Sequence, residues 1–346
     1  MHICFLMYPW EQVCAETDTT LRLVHECASR GHTVAITTTS GLTIRDSNVF
    51  GFCQVLKKGQ KISEKVPTFY RQAEFQKARL PMAGFDVIFM RANPPLDNLA
   101  LNFLDSIKDD TLIINDLEGL RIANNKLYTA SMGGTASEFL PSTHVSKNRD
   151  YLQRVLEESP SEKMILKPLN GFGGHGVIVI EKNARQNFRS LLDFYIGEGE
   201  QSNYVILQDY IEGAEEGDKR ILMLNGEPIG AMRRVPASGE FRSNVHAGGS
   251  VVKHVISKEE RRLCAAIGPK LVRDGLYFTG LDVIGNKLVE VNVLSPGGIT
   301  RINKLNRVRL QRQVIDFVEN IVNSKDLLQQ RKSAFRSAVQ NAHIEH

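Results

Sequence analysis

The chain has 346 residues, of which 42% are hydrophobic and 24% are charged. This composition supplies a core for two or three domains of ordinary size and excludes an intrinsically disordered chain. The net charge is +4, and the sequence contains no block of five or more Lys or Arg residues, so binding to nucleic acid is not expected.

The N-terminal third predicts a parallel β-sheet covered by helices. Strands are predicted at His2–Tyr8 and His32–Thr38, and between them a helix over Thr19–Arg30 begins after the N-cap residue Asp18 and ends at Gly31. A strand–helix–strand unit implies parallel strands. Further elements are predicted at Phe85–Met90 (strand), Asn98–Lys108 (helix) and Thr111–Asn115 (strand). We therefore predict a small doubly wound α/β domain, without the G-x-G-x-x-G motif of dinucleotide binding.

After Asn124 the pattern changes to antiparallel strands. Met164–Pro168 and Val177–Glu181 flank a glycine-rich turn, which predicts a hairpin and not the strand–turn–helix of a P-loop. The strands that follow are predicted to continue an antiparallel sheet. The further elements are Tyr204–Asp209, Lys219–Leu224, Pro228–Arg234, the helix Lys258–Asp274, Tyr277–Ile284, Lys287–Val293 and a helix from Arg307 to about Val322. Beyond Ser324 the chain is polar and basic and predicts a loosely packed helix.

The cysteine pattern indicates a reducing compartment. The five cysteines are Cys4, Cys14, Cys27, Cys53 and Cys264, and none stands in a C-x-x-C or Cys/His metal spacing. Free thiols are the expected state. No apolar run approaches the ~20 residues that cross a bilayer. We expect a soluble cytoplasmic protein that does not bind membranes.

A lysine and four glycines form the first candidate site. Lys167 ends a predicted strand, and Gly171, Gly173, Gly174 and Gly176 follow in the turn. Glycines allow backbone N–H groups to approach a phosphate chain, and the lysine adds a positive charge. A flexible hairpin with an exposed lysine explains the same pattern, so this motif alone leaves both interpretations open.

The second candidate site is a metal site on the last hairpin. Glu290 and Asn292 are two residues apart and share one face of a strand, and Asp282 lies on the partner strand. Two carboxylates and an amide oxygen among apolar neighbours favour a hard cation, Mg²⁺ or alternatively Mn²⁺. The alternative is the solvent-facing side of an ordinary hairpin. The tight sequence Ser295–Gly298 beside it favours the metal site.

Cationic residues on adjacent predicted strands form the third candidate site. Arg220 and Arg234 can point at one centre, and phosphoryl transfer needs such cations on the transferred oxygens. The polar loop Gly239–Gly249, with glycines at both ends, has the composition of a closing lid. Taken alone, these residues favour the alternative interpretation, surface charge on an antiparallel meander.

These residues together resemble the bacterial glutathione synthetases, a family of ATP-grasp ligases. The resemblance is carried by Lys126, Lys167, Gly171–Gly176, Gln208–Ile211, Gly217–Arg220, Arg234, Gly239–Gly249, Asp282, Glu290 and Asn292. It also includes the segments Asp18–Thr20 and Met90–Asp97, which in that family line the substrate side. It implies an α/β fold, α+β in part: an N-terminal doubly wound domain at 1–123 followed by an ATP-grasp module with antiparallel sheets. The module divides into a small subdomain at 124–204 and a catalytic subdomain at 205–323, and a polar tail occupies 324–346.

The resemblance also implies roles for individual residues. ATP is implied to contact Lys126, Lys167, Gly171, Gly173 and Gly174 through its phosphates, Gln208, Asp209, Tyr210 and Ile211 through adenine, and Asp218 near the ribose. Mg²⁺ is implied at Asp282, Glu290 and Asn292, and the implied catalytic residues are Arg220, Arg234 and Lys167. The substrates are implied to bind at Asp18, Thr19, Arg91, Arg242, Asn244, Ser295, Gly297 and Gly298.

The reaction implied is phosphorylation of the γ-glutamylcysteine carboxylate by ATP, then attack by the amine of glycine, with release of ADP and phosphate. The expected partners are these small molecules, and a homo-oligomer is predicted. Gly297–Gly298 stand where the family carries a bulkier pair, and Asp209 where it carries an uncharged amide. The alternatives are a related ATP-grasp ligase with another γ-glutamyl or peptide substrate, and a non-catalytic ATP-binding protein.

Overall fold

The computed structural model describes residues 1–171, 175–199, 202–237 and 249–341. Its α-helices there are α1 Thr19–Ser29, α2 Val66–Gln72, α3 Asn98–Asp105, α4 Leu117–Ala123, α5 Leu127–Ala130, α6 Arg149–Glu158, α7 Phe188–Ile196, α8 Lys258–Arg273, α9 Ile299–Asn306 and α10 Leu310–Asn341. Its β-strands there are β1 His2–Met7, β2 Thr33–Thr37, β3 Leu42–Arg45, β4 Asn48–Leu56, β5 Phe75–Pro81, β6 Val87–Arg91, β7 Leu112–Ile114, β8 Thr143–Ser146, β9 Lys163–Pro168, β10 Ile178–Glu181, β11 Val205–Asp209, β12 Asp218–Leu224, β13 Glu227–Val235, β14 Ser250–Lys253, β15 Phe278–Ile284 and β16 Lys287–Asn292.

The chain divides into two compact units. One is formed by Met1–Ala92, Leu99–Ile114 and the segment from Arg309 onward, and the other by Asn93–Asn98 and Asn115–Val308. The finer division at 1–123, 124–204, 205–323 and 324–346 stays a prediction. Among the described residues, no helix combines the length and apolar composition that crossing a membrane requires.

The first unit contains a seven-stranded sheet with the order β3-β4-β2-β1-β6-β7, and β5 pairs with β4. Strands β1, β2, β6 and β7 are parallel, which confirms the predicted doubly wound arrangement. The chain leaves β1 on one side toward β2 and returns on its other side at β6. The strand order therefore reverses between β1 and β6, and in open α/β sheets ligands bind beyond the carboxyl ends of strands at such a point.

The antiparallel strands β3, β4 and β5 of this sheet were not predicted. In β5 most side chains are at least partly exposed and include Lys77 and Arg79, so this strand lacks the apolar pattern that marks a strand in a sequence. Gly51 interrupts the pattern of β4, where a Cβ would lie 2.6 Å from the sulfur of Met82.

Helices α1 and α10 belong to the first unit. Asp18 caps α1 by accepting the N–H of Leu21 at 2.7 Å, as predicted. Arg30 donates to Asp316 and Glu319 of α10, both at 2.7 Å. α10 runs to Asn341. Its first half buries an apolar face that includes Val314, Ile315 and Val318. Leu327, Leu328 and Phe335 in its second half are exposed, in agreement with the loosely packed helix predicted beyond Ser324.

The second unit contains two antiparallel sheets. A four-stranded sheet has the order β10-β9-β11-β8, and a five-stranded sheet has the order β14-β13-β12-β15-β16. The prediction that β11, β12 and β13 continue one sheet was wrong, since β11 pairs with β8 and β9 while β12 begins the second sheet. Gly213 and Gly217, with φ of +84° and +101°, redirect the chain between the two sheets.

Candidate functional site

The hairpin of β15 and β16 brings the predicted metal ligands together. Asp282 is paired directly opposite Glu290, and Asn292 donates from its amide nitrogen to Asp282 Oδ2 at 3.1 Å. Because Asn292 donates through its amide nitrogen, its side-chain carbonyl oxygen is still available to accept a hydrogen bond or to bind a cation. No group of three or more His, Cys, Asp and Glu side chains that could hold a metal occurs among the described residues. The candidate ligand set instead combines two carboxylates with one amide.

Asn115 fixes the ends of this hairpin. Its amide nitrogen donates to the carbonyl oxygens of Phe278 and Val293, both at 2.8 Å, and its side-chain oxygen accepts the N–H of Phe278 at 2.7 Å. One buried amide thereby holds the start of β15 and the residue after β16. Sequence reasoning placed Asn115 at the end of a strand and missed this contact, because the partners lie 163 and 178 residues away.

Two arginines converge on Asp282. Arg220 lies opposite Asp282 in the pairing of β12 with β15 and donates from Nη2 to Oδ2 at 2.9 Å, with a second bond from Nε to Oδ1. Arg234 Nη2 lies 3.0 Å from the same Oδ2, and the Arg234 guanidinium also forms a two-bonded pair with Asp218. All four side chains are buried. The predicted convergence of Arg220 and Arg234 on one centre is therefore present.

The charges of this cluster control its protonation. Burial by itself would raise the pKa of Asp282, but the guanidiniums of Arg220 and Arg234 lower it well below its usual range. Asp282 is therefore ionised at every physiological pH. Both of its oxygens already accept hydrogen bonds, and with Asp218 the cluster holds two positive and two negative charges.

Lys126 connects the glycine-rich turn to the hairpin. Its Nζ donates a short hydrogen bond to the carbonyl oxygen of Gly171 and lies 3.4 Å from Glu290 Oε1. Lys126 follows α4 and begins α5, so two short helices position it. The structure thus brings three of the predicted ATP and metal residues into contact.

Lys167 and Gln208 meet in the interior of the same unit. Lys167 Nζ donates to Gln208 Oε1 at 2.9 Å, and Gln208 Nε2 donates to Thr143 Oγ1 at 2.7 Å. Burial lowers the pKa of Lys167 to about 8; Glu290 opposes this shift, and Lys126 adds to it. The three polar side chains line a cavity of only about 10 Å³. Asp209, Tyr210 and Ile211 are not among the described residues that line it.

A larger cavity of about 480 Å³ opens beside the hairpin, within the second unit. Its lining is Pro94, Pro95, Leu96, Ala123, Asn124, Asn125, Lys126, Asn170, Gly171 and the segment from Glu290 to Ser295. Sequence reasoning did not single out Asn124, Asn125 and Asn170. Their positions next to Lys126 and Gly171 are the signal that could have identified them.

Gly297 and Gly298 lie at the start of α9. Gly298 has a φ of +135°, which L-residues with side chains rarely adopt, so this position requires glycine. The carbonyl oxygen of Gly297 accepts a hydrogen bond from Arg220 Nη1 at 3.2 Å. A Cβ at Gly297 would meet no heavy atom of the described residues within 4 Å. The backbone conformation therefore requires glycine at position 298, whereas position 297 has space for a side chain.

In the first unit, the candidate substrate residues lie at the carboxyl ends of β1 and β6. Arg91 is 2% exposed, and its Nε donates to Thr20 Oγ1 at 3.0 Å. Tyr8 donates a short hydrogen bond to Asp18, beside the buried Thr19. Burial lowers the pKa of Arg91, and Tyr8 and Asp18 act in the opposite direction. These residues form a polar cluster at the point where the strand order reverses.

Four predicted site residues, Gly173, Gly174, Arg242 and Asn244, lie outside the described residues, as does the loop of the predicted lid except for Gly249.

Two family models match the chain. The prokaryotic glutathione synthetase N-terminal domain matches residues 1–121, and the prokaryotic glutathione synthetase ATP-grasp domain matches residues 125–307. The glutathione synthetase of Synechococcus elongatus is 35% identical, over 93% of this chain and 99% of the relative. That of Thermosynechococcus vestitus is 36% identical, over 91% of this chain and 98% of the relative.

Solved ATP-grasp enzymes share the fold. D-cycloserine synthetase DcsG superposes with a TM-score of 0.58 at 14% identity, covering 91% of this chain and 99% of that one. The ATP-grasp ligase PsnB, complexed with minimal precursor, Mg and ADP, gives 0.57 at 14% identity, covering 93% and 98%. The D-alanine-D-alanine ligase from Coxiella burnetii gives 0.56 at 8% identity, covering 97% and 100%.

The two antiparallel sheets, the buried lysine and the cationic cluster are thus found in a chain with the ATP-grasp fold. The protein is an ATP-dependent ligase that joins a carboxylate to an amine. The family models span both parts of the chain, and the relatives match nearly all of it. The chain belongs to the prokaryotic glutathione synthetase family.

Proposed function

We propose that the protein joins γ-glutamylcysteine to glycine through an acyl-phosphate intermediate and releases ADP and phosphate. The observation that carries this proposal is the convergence of Arg220, Arg234 and Asp282 next to Glu290. Acyl-phosphate chemistry needs cations around the transferred phosphoryl group and no nucleophilic side chain. The cluster supplies two guanidiniums, and both oxygens of its buried carboxylate Asp282 are paired with them.

The proposed reaction has two steps. A carboxylate oxygen of the dipeptide attacks the γ-phosphorus of ATP, the bond between that phosphorus and the bridging oxygen breaks, and ADP leaves. The glycine amine then attacks the acyl carbon, loses a proton, and phosphate leaves. Arg220 and Arg234 would neutralise the transferred oxygens in both steps, because a guanidinium presents paired N–H donors to phosphate.

We propose that the ATP phosphates are held by Lys126, Lys167 and the glycine-rich turn from Gly171. We propose that the adenine is held by Gln208 and the residues that follow it. Support comes from Lys126, which already contacts both Gly171 and Glu290. In the first unit, Asp18, Thr19 and Arg91 are proposed substrate residues. Their support is the buried Arg91 at the carboxyl ends of β1 and β6, where open α/β sheets bind ligands.

Asp282, Glu290 and Asn292 fit a divalent cation that arrives with a nucleotide. Their oxygens are of the type that Mg²⁺ prefers, and phosphates and waters complete such sites. When bound, the ion would offset the charge of the phosphate oxygens. In the structure, Arg220 and Arg234 pair with the oxygens of Asp282, and Lys126 lies 3.4 Å from Glu290. Positively charged side chains of the protein therefore contact the same carboxylate oxygens that would bind the metal.

We expect Mn²⁺ to bind tightly only when ADP is present. Both oxygens of Asp282 accept from Arg220 and Arg234, so a further cation must compete with these guanidiniums until phosphates draw them away. Electron paramagnetic resonance of Mn²⁺ would measure the free ion with and without ADP. Stoichiometric binding without nucleotide would contradict this expectation, and Glu290→Gln is expected to weaken the ADP-dependent binding.

ATP affinity should decrease as the pH rises above about 8, the pKa of Lys167 in the free protein. Phosphates favour the charged lysine and raise its pKa, so above pH 8 binding must take up a proton, and the Kd should rise by up to about tenfold per pH unit. Calorimetry between pH 7 and pH 9.5, roughly the range in which this lysine titrates, would test this. Lys167→Arg should flatten the profile, because arginine stays charged.

The lowered pKa of Lys167 also affects the free energy of unfolding, which should increase with pH whereas the ATP affinity decreases. The folded protein releases the Lys167 proton near pH 8, whereas the unfolded chain retains it until about 10.5. Between these values the unfolded chain binds more protons, so the contribution of Lys167 to the free energy of unfolding increases with pH.

Phosphate release with γ-glutamylcysteine, in the presence and absence of glycine, tests the proposed function. Full release should require both substrates, and hydroxylamine should trap an acyl hydroxamate when glycine is omitted. Absence of ATP consumption with any carboxylate would identify a non-catalytic ATP-binding protein. Activity with other peptides but not with γ-glutamylcysteine would overturn the proposed substrate.

One observation favours a second candidate, a ligase of the same class with a different amine acceptor. A Cβ at Gly297 would meet no described heavy atom within 4 Å, so this position does not itself limit the size of an acceptor bound beside it. Competition among glycine, alanine and serine decides between the candidates. A clear preference for glycine supports glutathione synthesis, and equal use of the three amino acids supports the wider specificity.

A further inference from the structure

The glycine-rich turn is held at both ends by side chains from other elements. At its start, Lys126 donates to the carbonyl oxygen of Gly171, and at its end the hydroxyl of Tyr195 donates to that of Gly176 at 3.1 Å. Pro168 packs against both ends, since Cβ atoms at Gly171 and Gly176 would each lie 3.2 Å from its ring. Gly176 has a φ of +70°. The two ends of the turn are thus tied to defined positions.

Tyr195 is itself held firmly. It lies on α7 and packs against the buried cluster that contains Leu192 and Ile196. Arg149 fixes the C-terminal end of α7, with Nε 2.6 Å from Asp193 Oδ1 and Nη2 2.6 Å from the carbonyl oxygen of Gly197. A helix anchored on both sides of Tyr195 places the hydroxyl more exactly than a loop would.

We infer that Tyr195 is a positioning residue for the ATP phosphates, acting through Gly176. Glycine adopts positive and negative φ with similar ease, so an unrestrained Gly176 would lose much conformational freedom when phosphates bind against its backbone. The hydrogen bond from Tyr195 limits that freedom before ATP arrives. The inference rests on the proposed role of the turn in binding ATP, and it adds a residue that does not touch the nucleotide.

Tyr195→Phe removes the hydroxyl and keeps the ring. We expect the Kd for ADP, measured by calorimetry, to rise about threefold to tenfold, the range of one lost hydrogen bond. The Kd for adenosine should not change, because adenosine has no phosphates. In kinetics, the KM for ATP should rise while kcat stays close to its original value. Tyr151→Phe is the matched control, since its hydroxyl bonds to His144 Nδ1 at 2.8 Å, away from the turn.

An unchanged Kd for ADP in Tyr195→Phe would overturn the inference, and so would equal weakening of ADP and adenosine, which indicates a general structural effect. These results leave the proposed ATP site intact. If the unsubstituted protein bound no ADP, the proposed nucleotide site would fail and the inference with it.

Discussion

Glu290→Gln is expected to lower kcat by on the order of a thousandfold, equivalent to about 4 kcal/mol, because it removes one of the two anionic oxygen ligands of the proposed metal site. The fold should be unaffected. The Glu290 side chain is partly exposed and forms an ion pair with Lys126 at 3.4 Å, so the loss of stability should be no more than about 1 kcal/mol.

Phosphate release and thermal unfolding of the same preparation would measure both effects. Glu181→Gln is a suitable control, because Glu181 also lies on a strand and pairs with a lysine, Lys163, at 3.9 Å. Normal turnover with Mg²⁺ by a folded Glu290→Gln protein would exclude the proposed metal site.

Asp282→Asn is a less clean test of the same site. The substitution leaves Arg220 and Arg234 buried with one carboxylate fewer, and breaking a buried ion pair in this way costs about 3–5 kcal/mol. Loss of activity would then combine a lost ligand with a destabilised sheet. The unfolding temperatures of Glu290→Gln and Asp282→Asn should therefore be compared. Asp282→Asn should unfold at the lower temperature.

Arg220→Lys is expected to reduce kcat by about 10³ or more, as for arginines that stabilise a transferred phosphoryl group in other enzymes. Lysine keeps the charge but cannot present two parallel donors, which Arg220 now directs at both oxygens of Asp282. ADP binding should change far less than kcat, because the proposed contact is made with the transferred group.

The neighbouring Arg233→Lys is the control for this experiment. Arg233 lies on β13 next to Arg234, and its side chain is 41% exposed with Glu216 at 3.9 Å. Its substitution should leave kcat unchanged. A kcat for Arg220→Lys close to that of Arg233→Lys would show that Arg220 does not act on the phosphoryl group.

Local sequence patterns predicted the parallel strands around β1 and the hairpin that carries Asp282, Glu290 and Asn292. Both depend on short-range periodicity: buried parallel strands are continuous apolar runs, and residues two apart on a strand share a face. Strand β5 was missed because its side chains are partly or fully exposed and include basic residues. The same local signals could not assign β11 and β12 to different sheets.

The sequence by itself determined the buried parallel strands, the last hairpin and which of their side chains share a strand face, since these follow from neighbouring residues. Only the tertiary structure decided that Arg220 and Arg234 pair with Asp282, that Lys126 spans from Gly171 to Glu290, and that α10 belongs to the N-terminal unit. Arg220 and Asp282 are 62 residues apart, and their contact depends on the register of β12 against β15. Register is set by packing over the whole sheet, because a slip of one residue would turn every side chain of β12 to the opposite face.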